Sequence, residues 1–187
     1  MLQDLSLNIL DIARNSVAAG ASLIEIEIVE DTAQKTLCIT VRDNGRGMTR
    51  AQLRKADDPL FTTRSSRKTG LGIPLLKAAA VMTGGDFDIR STPGKGTEVR
   101  ALFLAGRADM PPLGDVKRSI FALIATGEGL DVVYTRKRDE QLFTLCTRKI
   151  CNEMGANISP SHPEVLVQVR KCLRDSPFEI VREEEDR

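Results

Sequence analysis

The stretch Asp43-Asn44-Gly45-Arg46-Gly47-Met48 follows directly on Leu37-Cys38-Ile39-Thr40-Val41-Arg42, a run that reads as a β-strand. A strand ending in an acid and then two glycines one residue apart places a carboxylate at the strand terminus. The backbone beside it bends tightly and can approach a ligand closely. Such an aspartate can accept a hydrogen bond from an exocyclic amine, and the small residues leave room for a flat ring. Asp, Asn and Gly also make up ordinary surface turns, so both readings stand on this stretch alone.

Upstream, Leu2, Leu5, Ile9, Ile12, Ala13 and Val17 recur at helical spacing, which predicts a helix over residues 2–19 stopped by Gly20. Asp4, Asn8, Asp11 and Asn15 then form a stripe at the edge of its apolar face, with Asp11 and Asn15 one turn apart. This stripe is either solvated or turned into a cleft, where the acid polarises water and the amide oxygen ligates a hard cation. Ile24, Ile26 and Ile28 alternate with Glu25 and Glu27, the pattern of a half-exposed strand that forms a hairpin with the strand delivering Asp43.

Thr49 caps a short helix to Ala56. Asp57 to Thr69 has no apolar period, and a polar segment rich in hydroxyls and bases inside a compact domain is a functional lid or a disordered loop. It runs into Gly70-Leu71-Gly72-Ile73-Pro74, the glycine-rich first turn of a helix reaching Met82. Open N–H groups there suit an anionic phosphate, and the alternative is that the glycines serve only a tight loop-to-helix junction. Strands over residues 86–91 and 97–104 flank the turn Thr92-Pro93-Gly94-Lys95-Gly96 and complete a sheet.

Residues 106–114, with Pro111-Pro112, form the one composition shift that reads as a boundary. It divides residues 1–105 from a small C-terminal αβ appendage over 106–187. The appendage reads as a helix (115–125), a strand pair (132–137 and 141–147), a helix (164–175) and an acidic tail. A chain of 187 residues that is 41% hydrophobic and 28% charged, with no long apolar run, is a soluble globular protein without a spanning helix. The first residues lack a signal-peptide pattern, and the expected location is the cytoplasm. A net charge of +1 gives no overall bias toward nucleic acid or membrane. Cys38, Cys146, Cys151 and Cys172 match no zinc or cluster spacing and read as buried small hydrophobes, while His162 reads as a loop residue.

The order of these motifs resembles the nucleotide-binding domain shared by histidine kinases, type II topoisomerases, Hsp90 chaperones and mismatch-repair ATPases. Asp11-Ile12-Ala13-Arg14-Asn15-Ser16 looks like the N-box and Asp43 to Met48 like the first glycine box. Pro59-Leu60-Phe61-Thr62-Thr63-Arg64 and Gly70-Leu71-Gly72-Ile73 are similar to the phenylalanine box and second glycine box of histidine kinases. Gly94-Lys95-Gly96-Thr97 looks like the closing Gly-Thr element. Four motifs in register make the likeness specific where each alone is weak.

The resemblance implies a Bergerat-type ATP-binding fold, an α/β (α+β) two-layer sandwich whose mixed sheet is covered on one face by helices. It implies ATP and Mg²⁺ as ligands. Asn15 would ligate the metal, Asp43 would take the adenine amino group, and Gly45, Gly47 and Met48 would shape the adenine pocket. Gly70, Leu71 and Gly72 would close over the phosphates, and Thr97 would help hold Asp43 and a water; were the chain an enzyme, Arg64, Arg67 or Lys68 would clamp the phosphates. Asp11, in the place of a longer glutamate in many hydrolysing members, would orient the water or acceptor, and its shorter reach implies slow hydrolysis.

Histidine kinases carry a dimerisation segment with a phosphoacceptor histidine before the N-box. The present chain opens on the N-box, so autophosphorylation in cis is not expected. The resemblance leaves open an enzyme acting on a protein partner, including one that phosphorylates a Ser or His elsewhere, and a nucleotide-dependent binding switch. A fainter likeness of Pro111 to Asp115 and the appendage to free-standing members found beside iron-only hydrogenase subunits points to a redox-enzyme partner.

Overall fold

The structure is a computed structural model that describes residues 4–56, 72–106, 109–155 and 158–178. The first helix, α1 (Leu5–Ala18), starts later than its apolar period suggests, because Asp4 takes the N-cap position and its carboxylate accepts from Leu7 N–H at 3.0 Å. Asp4 therefore leaves the polar stripe. Two further first-turn N–H groups, those of Leu5 and Ser6, donate to the carbonyls of Pro112 and Leu113 at 3.0 and 2.9 Å. The segment joining the two expected halves of the chain thus satisfies the helix start, whose N–H groups have no partner within the helix.

Strands β1 (Leu23–Asp31) and β2 (Thr36–Asp43) pair antiparallel, as the alternation predicts. A short helix α2 (Arg50–Leu53) is closed by a capping box between Thr49 and Gln52. After α3 (Gly72–Met82), strands β3 (Asp86–Thr92) and β4 (Gly96–Leu104) form a hairpin, and β4 pairs with β2. Next come α4 (Val116–Thr126), β5 (Asp131–Arg138), β6 (Gln141–Cys146), α5 (Thr147–Met154) and α6 (Pro163–Arg174). The strand order is β3-β4-β2-β1-β5-β6, with β1 and β5 parallel and every other pair antiparallel. The result is a mixed six-stranded sheet of the α/β class.

One face of the sheet carries Ile24, Ile26, Ile28, Ile39, Val41, Val99, Ala101, Phe103, Val132 and Tyr134, all buried in one continuous core with α1, α3, α4 and α6. The opposite face carries Glu25, Glu27, Arg42, Glu98 and Arg100. There the Arg42 guanidinium bridges Glu98 (Nε, 2.8 Å) and Glu25 (3.6 Å). Charge on one face and branched aliphatics on the other give the two-layer arrangement its sidedness.

Helix α5 has no counterpart in the sequence reading, which ended a strand at Thr147. Its apolar positions Ile150, Cys151 and Met154 span little more than one turn, too few for a helical period to register. Thr147 instead turns its buried hydroxyl back to β5, accepting from Val132 N–H at 2.9 Å. His162, read as a loop residue, caps α6 by accepting from Glu164 N–H at 3.4 Å. All four cysteines are free, and no cluster of metal-ligating side chains occurs among the described residues.

Candidate functional site

Asp43 is the last residue of β2, and its side chain lies on the helix-covered side of the sheet, in register with Ile24 of β1 and Thr97 of β4. Both carboxylate oxygens are held. Gly45 N–H donates to Oδ1 at 2.8 Å, and the Ser16 hydroxyl, reaching down from α1, donates to Oδ2 at 2.6 Å. Each oxygen keeps a further lone pair, so the acid is oriented and still able to accept from a ligand.

The loop after Asp43 is clamped from three sides. The Asn44 side-chain oxygen accepts from Ser22 and Leu23 N–H groups at 2.9 Å each, tying the loop to the start of β1. Arg46 N–H donates to the Ala19 carbonyl at the end of α1 (3.0 Å), and the Arg46 carbonyl accepts from Gly94 N–H in the β3–β4 turn (2.8 Å). Met48 N–H donates to Ser91 Oγ at 2.8 Å.

Gly47 has φ +65°, and a Cβ on it would stand 2.1 Å from the Thr92 carbonyl oxygen. Gly96 has φ +100°, and a Cβ there would stand 1.9 Å from the Asp43 carbonyl oxygen. Side chains are excluded at both positions by close backbone approach as well as by conformation. These glycines belong to a tightly packed loop held against the β3–β4 hairpin.

On α1, Asp11 and Asn15 are half-buried on the flank that faces α3. Gly72, the first residue of α3, packs there so closely that a Cβ on it would lie 2.9 Å from Asp11 Cβ. Asn8, a turn earlier, is buried, and its Oδ1 has no donor among the described residues. Asp11 and Asn8 of the stripe thus lie at the contact between α1 and the start of α3. Arg14 holds a guanidinium nitrogen 3.9 Å from the Asp11 carboxylate.

Thr97 lies opposite Asp43, and its hydroxyl is 2.9 Å from Ser91 Oγ, with no hydrogen bond to Asp43 itself. Arg64, Arg67, Lys68, Gly70 and Leu71 lie outside the described residues, as does the lid read over 57–71.

Two side chains at this site escaped the sequence reading. Ser16 stands in phase with Ile9 and Ile12, a hydroxyl at an apolar position of α1, and Ser91 continues the alternation Phe87, Ile89 on the covered side of β3. A polar residue in an apolar phase was the available signal for both.

The model of the family described as histidine kinase-, DNA gyrase B- and HSP90-like ATPase matches residues 1–107, which takes in every element around Asp43. The chain belongs to this family. As a member of the histidine kinase-like ATPases it carries a domain that binds ATP. Among similar proteins, one named as a sensor in Shewanella frigidimarina is 30% identical over 109 residues, 58% of this chain and 16% of that protein. Sensor histidine kinase ZraS of Klebsiella oxytoca is 33% identical over 89 residues (47% of this chain, 19% of that protein). Sensor histidine kinase YxdK of Bacillus subtilis is 32% identical over 91 residues (46% and 27%). The chain therefore spans well under a third of the length of these relatives. No helix among the described residues is long and apolar enough to cross a membrane.

Proposed function

We propose that the chain is a magnesium-dependent ATP-binding protein that hydrolyses ATP or transfers its γ-phosphate to a protein partner. The observation that carries this reading is the Asp43 carboxylate, held by Gly45 N–H and by Ser16 of α1, the helix that also bears half-buried Asp11 and Asn15. Asp43 accepts from the adenine amino group, and Gly45, Gly47 and Met48 leave a slot for the ring. The donor set fits magnesium: Asn15 offers an accessible hard oxygen with Asp11 a turn away, and this ion commonly takes one or two protein oxygens together with phosphates. Bound there, it supplies charge neutralisation at the phosphates. Asn15 holds it, Asp11 orients the water or acceptor, and Arg64, Lys68, Gly70, Leu71 and Gly72 bind the phosphates.

In this reading residues 1–105 are the ATP-binding unit and 106–187 an appendage that engages the partner, either a phosphoacceptor or a redox-enzyme complex. A cytoplasmic, reducing setting goes with the four free thiols. Turnover and ATP affinity measured together, with Mg²⁺ and with chelator, test the proposal. Asn15→Ala abolishes turnover, while Asp11→Asn keeps ATP affinity and loses turnover. Full turnover in Asp11→Asn removes the orienting role.

The position of Arg14 favours a second reading, a nucleotide-dependent switch with little catalysis. The guanidinium 3.9 Å from Asp11 competes with an attacking water for the same carboxylate, which already reaches less far than a glutamate. Equal partner affinity with ATP, with ADP and without nucleotide eliminates the switch.

A further inference from the structure

Ser91, Thr97 and Asp43 stand side by side across three neighbouring strands, β3, β4 and β2, on the helix-covered face. Ser91 Oγ is the hub of this row. It accepts from Met48 N–H at 2.8 Å, lies 3.0 Å from the Gly96 carbonyl and 2.9 Å from Thr97 Oγ1. We infer that Ser91 is a positioning residue of the base pocket, setting the direction in which the Thr97 hydroxyl points its proton toward Asp43. The inference rests on the ATP reading and adds a residue to it.

Counting protons leaves two states. The Ser91 hydroxyl has one proton, and its possible acceptors are Gly96 O and Thr97 Oγ1. If the proton goes to Gly96 O, Thr97 must donate to Ser91 and turns only lone pairs toward the Asp43 carboxylate, which repels them. If it goes to Thr97, the Thr97 proton is released toward Asp43.

Met48 N–H, Ser91 O–H and Thr97 O–H then form one chain of donors running toward the anion, each polarised by the one before. Directly opposed residues on adjacent strands have Cβ atoms about 5 Å apart, so the Thr97 hydroxyl and the Asp43 carboxylate are within reach of one shared water or ligand atom. The second state therefore prevails when that shared atom is present. It links the floor of the pocket at Met48 to the acid that reads the base, and none of its members touches the phosphates.

The test compares the wild-type chain with Ser91→Ala and Ser91→Thr. Adenosine and ATP are the calorimetric probes, and exchange of the Met48 amide is followed by NMR in nucleotide-free protein. Ser91→Ala loses about tenfold in affinity, equally for adenosine and ATP, as expected for one hydrogen bond acting on the base. Its Met48 amide exchanges faster, and Ser91→Thr, which restores the hydroxyl, recovers both. Adenosine bound by Ser91→Ala as tightly as by wild type, a loss confined to ATP, or unchanged Met48 exchange overturns the inference while the ATP reading stands. Wild-type protein that gives no heat with either probe overturns the ATP reading and this role with it.

Discussion

Gly47 and Gly94 both have a left-handed backbone, φ +65° and +76°, yet they differ in what surrounds them. A Cβ on Gly94 meets nothing within 4 Å, whereas one on Gly47 lands 2.1 Å from the Thr92 carbonyl oxygen. Gly94→Ala thus incurs only the left-handed conformational cost, about 1–2 kcal/mol. Gly47→Ala incurs that cost and must also push the loop off the β3–β4 hairpin by roughly 1.5 Å, the distance needed to reach an ordinary contact.

That displacement breaks the hydrogen bonds from Met48 N–H to Ser91 and from Gly94 N–H to the Arg46 carbonyl, each worth about 1 kcal/mol net. The sum for Gly47→Ala is about 3–4 kcal/mol, and in the proposed reading, where the clamped loop forms the base slot, ATP affinity is lost with it. Urea denaturation of the two variants, with calorimetry against ATP on the folded fraction, measures both quantities. Gly47→Ala within about 1 kcal/mol of Gly94→Ala, or binding ATP as tightly, would refute the reasoning.

Ser16→Ala removes a buried charge-assisted donor to Asp43, so stability falls by about 2 kcal/mol and ATP affinity by roughly tenfold, checked by the same two assays. Glu30→Ala leaves Arg136, with a side chain only 7% exposed, without its counter-charge and destabilises by about 3–5 kcal/mol. Arg138→Ala, on the exposed side of the same carboxylate, costs less than about 1 kcal/mol in a urea titration. Burial pushes the phenol of Tyr134 up to about 12, with Arg136 pulling the other way. The folded state then holds its proton where the unfolded chain has lost it, so stability falls between pH 10 and about 12, by up to about 3 kcal/mol. Tyr134 is the chain's single tyrosine, so phenolate absorbance reads it alone, and Tyr134→Phe removes this limb of the pH–stability curve.

Local chemistry made much of the fold legible. Alternation placed β1 and β2, because a sheet with one charged and one buried face must repeat every second residue. The glycine at position 47 after the terminal acid of β2 announced a tight loop there, since its left-handed backbone favours glycine. The Asp11 to Ser16 run, the Asp43 loop, the Pro59 to Ile73 stretch and Gly94 to Thr97 together pointed to the family because their order along the chain is itself information. Where periodicity had too few residues to act on, as in α5, or where a cap displaced a helix start, as at Asp4, local pattern gave the wrong element or the wrong boundary.

What only the tertiary structure decided concerns contacts between residues distant in sequence. Nothing near Ser16 signals a hydrogen bond to Asp43, 27 residues away, and nothing near Ser91 signals that its hydroxyl holds Met48. Nor does the composition shift at residues 106–114 reveal that β5 lies parallel against β1 in one sheet, with Pro112 and Leu113 closing the start of α1. Residue type and spacing limit what a segment can form by itself. Partners across strands and helices are chosen by the shared burial of the whole core, which no single segment encodes.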